Sequence, residues 1–260
     1  MKKNKQLYQI TLTAIFAALA FAGTFIQIPL PTGGMVHLGN FVVIIAALLC
    51  GGLVGGISGG IGCGLYDLLI YSSWDGFFKY LILKFVMGMI VGYTFRFLFK
   101  RKDTFPTTLW LCISGAAILI LTTLVIILYS VGQISISYTH PQAYIAIVAT
   151  LAYIVGILIL IAAVFGQRLK RIHKLVMISI TLSVVVNIVL EFITKIILSL
   201  TLDSLSFQAS LVKGFSTMPS CILTGALTLI LGTLIYPPLY KATKNINFFN
   251  DLEIEEEELA

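Results

Sequence analysis

The chain has 260 residues, of which 58% are hydrophobic and only 11% charged, with a mean hydropathy of +1.02 and a formal net charge of +6. A soluble globular domain carries roughly 25% charged residues. This composition therefore excludes one and predicts a single all-α integral membrane domain over residues 1–260. The basic residues border apolar segments and form no separate basic region, which excludes nucleic acid as a partner and leaves membrane lipid headgroups.

Eight membrane segments are expected, at 8–28, 38–50, 52–71, 78–99, 107–131, 142–166, 174–199 and 216–236. The first follows MKKNKQ, but its apolar run exceeds the ~7–15 residues of a signal-peptide core and more membrane follows it. Ala14, Ala18 and Ala22 recur at spacing four along it. Such a small-residue ladder serves either ordinary bundle packing or docking of another subunit's helix. The second segment is too short to span alone, so the loop PTGGMVHLGN (31–40) is expected to dip below the outer membrane surface.

The third segment opens GGLVGGISGGIGCGLYD (51–67), with eight glycines in seventeen residues. It is no phosphate loop, because Cys63, Gly64 and Leu65 stand where a lysine and a hydroxyl would be needed. Gly52, Gly56, Gly60 and Gly64 form one bare stripe and Gly51, Gly55 and Gly59 another, so close approach of neighbouring backbones is expected. Asp67 ends the run; Trp74, Asp75, Lys79 and Lys84 follow at the start of the fourth segment. Lys84 lies deep enough to need a partner or a ligand, and Asp67 is its most economical protein partner.

Segments 107–131 and 142–166 carry no charge. In the seventh, Asn187, Glu191 and Lys195 share one helix face. Glu191 and Lys195 either pair with each other or line a cavity that opens outward. With His37, Asn40 and Trp74 as hydrogen-bonding and aromatic candidates, these residues make up the expected ligand site. The tail DLEIEEEELA, within an acidic cytosolic stretch 245–260, reads as a solvated end. Cys50, Cys63, Cys112 and Cys221 are scattered without metal-ligand spacing. No catalytic constellation occurs, so neither an enzyme nor a metal site is expected.

Thirteen of the seventeen lysines and arginines fall inside if both termini are cytoplasmic, whereas Lys79, Lys84, Lys195 and Lys213 lie toward the outer side. The expected location is a multi-pass position in the cell membrane.

VHLGNFVVIIAALLCGGLVGGISGGIGCGLYDLL (36–69), followed by LILKFVMGMIVGYTF (81–95), resembles the substrate-binding S components of energy-coupling factor (ECF) vitamin transporters. The likeness is to their riboflavin-, pyridoxine- and hydroxymethylpyrimidine-type branch. The family order LGD, apolar helix, Gly-Pro turn, GxxxxD helix and IKG helix is met by Leu38-Gly39-Asn40, Gly51-Gly52, Gly62 to Asp67 and Leu83-Lys84-Phe85. Asn40, Gly52 and Phe85 depart from it. The resemblance implies a six-helix bundle, so that 107–166 reads as an inserted two-helix hairpin. It also implies outside capture of a small vitamin-like ligand and docking through Ala14, Ala18 and Ala22 on a transmembrane coupling subunit driven by two cytosolic ATPases. ATP is then used by those partners, and this chain binds no cofactor. The competing readings are a structural or assembly membrane protein and an independent secondary transporter, although no clear internal repeat supports the latter.

Overall fold

The computed structural model describes residues 2–30, 34–101, 107–131, 141–165 and 170–243. The acidic tail lies outside the described residues. Helix α1 spans Lys2–Phe25, α2 Gly39–Cys50, α3 Gly52–Tyr71, α4 Trp74–Lys100, α5 Thr107–Ser130, α6 Pro141–Phe165, α7 Arg171–Thr201 and α8 Phe207–Thr243. Between α1 and α2 the chain forms an antiparallel hairpin of β1 (Gln27–Pro29) and β2 (Met35–His37), pairing Gln27 with His37 and Pro29 with Met35. Among the described residues the regular structure is helical apart from this hairpin, which replaces part of the irregular loop expected there.

Among the described residues, α1, α3, α4, α7 and α8 are long and apolar enough to cross a membrane. Their outward faces carry large apolar side chains such as Ile10, Phe78, Ile82 and Leu234, which suits contact with lipid rather than water. At 37 residues α8 is roughly 55 Å long and overruns ~30 Å of hydrocarbon at its ends. The expected span 216–236 marked only its most apolar part. Its Pro219 lacks the N–H that would bond to the Phe215 carbonyl, one turn back.

Helix α2 has only 12 residues, roughly 18 Å, and lies at the centre of the bundle. Val43, Ile44, Ala46 and Ala47 are completely buried. Ile44 and Leu48 share one core with Val54 of α3, Met87, Val91 and Phe95 of α4, Ile172 and Val176 of α7 and Tyr236 of α8. Leu12 and Phe16 of α1 pack against it. The α5–α6 pair joins instead through a smaller cluster, in which Ile159 and Ala163 meet Met177 of α7 and, on α8, Ile222 and Ala226. This pair covers the α7–α8 flank.

The glycine stripes of α3 are seams. A Cβ on Gly56 would lie 2.7 Å from the Phe85 carbonyl oxygen, and one on Gly60 2.7 Å from that of Leu81. Gly88 and Gly92 of α4 meet the backbone at Gly56 and Gly52 in turn. The second stripe faces α2, where Gly55 abuts Ala47 and Gly59 abuts Val43. Gly51, at φ 103°, makes the turn between α2 and α3. The Ala47 carbonyl accepts twice, from the Gly51 N–H at 3.0 Å and from the Arg96 guanidinium at 3.1 Å, which places a positive charge where α2 ends.

Candidate functional site

The hairpin closes the end of the bundle opposite Arg96. The backbone N–H of Leu38 donates to the carbonyls of Gly23 (3.1 Å) and Ile26 (3.3 Å), tying the hairpin to the end of α1. On its other side Gly34 packs against Ser220, and the Thr224 hydroxyl reaches the Met35 carbonyl at 3.5 Å. His37 is thereby buried beside Gly39, whose N–H donates to Nδ1 at 3.1 Å. Burial, with the Lys84 charge nearby, pulls the His37 pKa down to about 3 against an opposing pull from Glu191. The imidazole is therefore neutral, and because Nδ1 accepts, its proton sits on Nε2 as a donor.

Close to His37, α4 and α7 face each other through polar groups. Ser183, Asn187 and Glu191 recur every four residues on α7 and so lie on one stripe. The Ser183 hydroxyl donates to the Met87 carbonyl at 2.9 Å, and Lys84 Nζ donates to Asn187 Oδ1 at 3.2 Å. Glu191 takes Lys79 Nζ on Oε2 at 3.1 Å and has Lys84 Nζ 3.8 Å from Oε1. The lysines lie five residues apart on α4, and their long stems bring both ammonium groups to one carboxylate. The Tyr80 ring lies 4.1 Å from Lys79 Nζ and 5.2 Å from Lys84 Nζ, offering its face to both cations. Lys84 is only 1% exposed and Glu191 7%. Ionisable groups held this deep among membrane helices mark a functional site by default.

Of the expected site residues, the structure brings together His37, Lys79, Lys84, Asn187 and Glu191. Of the pairings open to these residues, Glu191 makes those with Lys79 and Lys84 rather than with Lys195, and Lys84 reaches Asn187 and Glu191 rather than Asp67. The α7 stripe extends inward to Ser183, and Lys195, half-buried one turn beyond Glu191, lies within electrostatic reach of Lys79 and Glu191. Asp67 is partly buried at the end of α3, with Oδ2 facing Gly76. Asn40 is buried in the first turn of α2, and its Oδ1 has no hydrogen-bond partner among the described residues. Trp74 is 62% exposed, with its ring against Phe77 and Phe78. Sequence reading missed Tyr80 and Ser183, although each sits four residues from a charged or polar member of the cluster on its own helix, a spacing that places them on one face.

On the opposite flank, Ala14 and Ala18 line an open apolar groove of about 820 Å³ between α1 and α3, with Phe21, Leu53, Ile57 and Leu65. Ala22 is also exposed, whereas Ala17 and Ala20 turn inward toward Gly62.

Residues 4–171 match the model of the family described as ECF-type riboflavin transporter, S component. The chain belongs to that family. As an S component with five apolar helices long enough to span, it is a multi-pass membrane protein of a transporter family whose members bind substrate. The matched residues run through α5 and α6 and stop where α7 begins, so Lys79 and Lys84 lie within them and Asn187 and Glu191 beyond them. No curated protein and no solved structure matches the chain.

Proposed function

We propose that this S component is the high-affinity binding subunit of an ECF-type importer of a vitamin or vitamin precursor, with its site at the Lys79–Glu191–Lys84 cluster beneath the β-hairpin. The observation that carries this reading is the cluster itself, a desolvated set of charges between two membrane helices, where packing alone would favour apolar side chains. The positive-inside bias supports cytoplasmic termini and an outer hairpin end, where a water-soluble ligand arrives. Helices α1–α4, α7 and α8 form the six-helix S-component bundle, and α5–α6 is the hairpin inserted on its flank. The small vitamin-like ligand is then carried inward when the bundle reorients on a transmembrane coupling subunit, with ATP hydrolysed by two cytosolic partner ATPases.

Mass spectrometry of the compound that co-purifies with the full chain identifies the ligand. Exchange of Lys84 or Glu191 should remove that compound; an unchanged yield of it in both variants would place the site elsewhere. The groove lined by Ala14 and Ala18 supports docking on that face. Ala14→Leu with Ala18→Leu should abolish uptake in cells carrying the coupling module while leaving ligand binding by the purified chain unchanged. Uptake at the native level would remove this face from the docking surface.

A further inference from the structure

The charges of the cluster do not balance. Lys79 and Lys84 contribute two positive charges and Glu191 one negative charge. Asp67 and Lys195 are each within electrostatic reach of Lys79 but form no ion pair with the cluster among the described residues, and their opposite charges offset one another. His37 is neutral, and Tyr80 and Asn187 are uncharged partners. Glu191 is committed to Lys79 at 3.1 Å, whereas its distance to Lys84 is 3.8 Å, too long for a hydrogen bond.

An ammonium has three N–H donors. At Lys84 only one is taken, by Asn187 at 3.2 Å, and the group is 1% exposed. Two donors and an excess positive charge are thus held away from water, an arrangement that costs stability unless another group supplies acceptors and a negative charge. Resting on the outer-site reading above, we propose that Lys84, with Lys79 beside it, is the receptor for a carboxylate carried by the ligand. One carboxylate supplies acceptor lone pairs for the free donors and brings the cluster to neutrality. A phosphate dianion would overshoot to a net negative charge. The Nε2–H of His37 faces no acceptor among the described residues and is a further donor for the same ligand.

The test uses benzoate and its uncharged isostere benzamide as probes on the purified full chain in neutral detergent at constant ionic strength. At about ten times its dissociation constant, benzoate should raise the thermal midpoint by about 3 °C, with benzamide producing no shift. Equal shifts, or none with benzoate, overturn the proposal without any variant. Lys84→Met should abolish the benzoate shift and leave the probe-free midpoint unchanged or higher, because Glu191 keeps Lys79 and the excess charge is gone. A fall of several degrees without probe, or failure to fold, marks Lys84 as a structural cation and overturns the proposal. Lys84→Arg, which keeps the charge, should retain the benzoate shift, and its loss there also counts against the proposal. Phosphatidylserine added to the micelles should leave the benzoate shift intact; if it blocks the shift, the carboxylate belongs to a lipid headgroup and a soluble ligand is excluded. A neutral co-purifying compound that is lost in the Glu191 variant would keep the site and remove only its preference for carboxylate.

Discussion

Helix α4 has two faces built on opposite principles. Toward α3 it presents Gly88 and Gly92 to the glycines of its neighbour, and the two backbones touch. Toward α7 it presents Lys79 and Lys84, whose side chains meet Glu191, Asn187 and the Tyr80 ring. The first contact gains from dispersion and leaves no room for adjustment. The second is electrostatically costly without complete pairing and retains unused hydrogen-bonding capacity. Close packing on one side thus makes α4 a fixed wall, against which the charged side is held in one geometry.

This contrast can be broken most severely from the glycine side. Gly56→Leu places a branched side chain where even a Cβ would sit 2.7 Å from the Phe85 carbonyl oxygen. The backbones must then part, and no monodisperse protein should be recovered on size-exclusion chromatography. Recovery of a stable variant would show that the seam is slack.

On the charged side, Glu191→Gln leaves two lysines facing each other in a desolvated site and should cost about 3–5 kcal/mol in reversible unfolding, with ligand binding lost. Adding Lys79→Met and Lys84→Met should restore stability without restoring binding. If the single and triple variants are equally unstable, packing rather than charge sets the cost.

A smaller effect concerns pH. The His37 pKa lies near 3 in the folded chain and about 6.5 in the unfolded one, so below that upper value the unfolded state binds more protons. Stability must therefore decline as pH falls from about 6.5, by up to about 1.4 kcal/mol per pH unit until the folded imidazole protonates. His37→Asn should remove that slope, and an identical slope in the variant would contradict the burial of the imidazole.

The smallest effect sharpens the comparison from outside the bundle. Lys213 and Asp203 form a shorter ion pair, 2.6 Å, than any contact in the cluster, and the lysine holds the Asp203 carboxyl below its usual range. Both are exposed, so solvent and salt screen the pair. Lys213→Met should leave the thermal midpoint at physiological salt unchanged within error. Whatever the pair contributes should vanish as acid protonates Asp203. A large loss at neutral pH would mean that distance rather than burial governs these pairs.

Much of this is legible in the amino-acid sequence. The periodic glycines of 51–67 can be read as helix seams because side-chain absence at spacing four has one geometric consequence. Lys84, Asn187 and Glu191 stand out because lipid penalises charge wherever it occurs in a span. The β-hairpin was not legible, since strands of three residues offer no alternation to detect and pair only through the backbone. Nor was the pairing of the charges. Local spacing favours Glu191 with Lys195, one turn away on the same helix, yet the carboxylate turns to α4 because that helix packs against it.

Composition and periodicity by themselves determined that the chain is a helical membrane protein, where its glycine seams lie, and which residues the hydrocarbon leaves in need of partners. Those features are local, set by the cost of each residue in lipid and by the turn of a helix. Which helix meets which, and therefore which lysine reaches Glu191 and which donors remain open, was decided only by the tertiary structure. A charge's partner depends on the distance to residues more than a hundred positions away, and only the packed bundle fixes that distance.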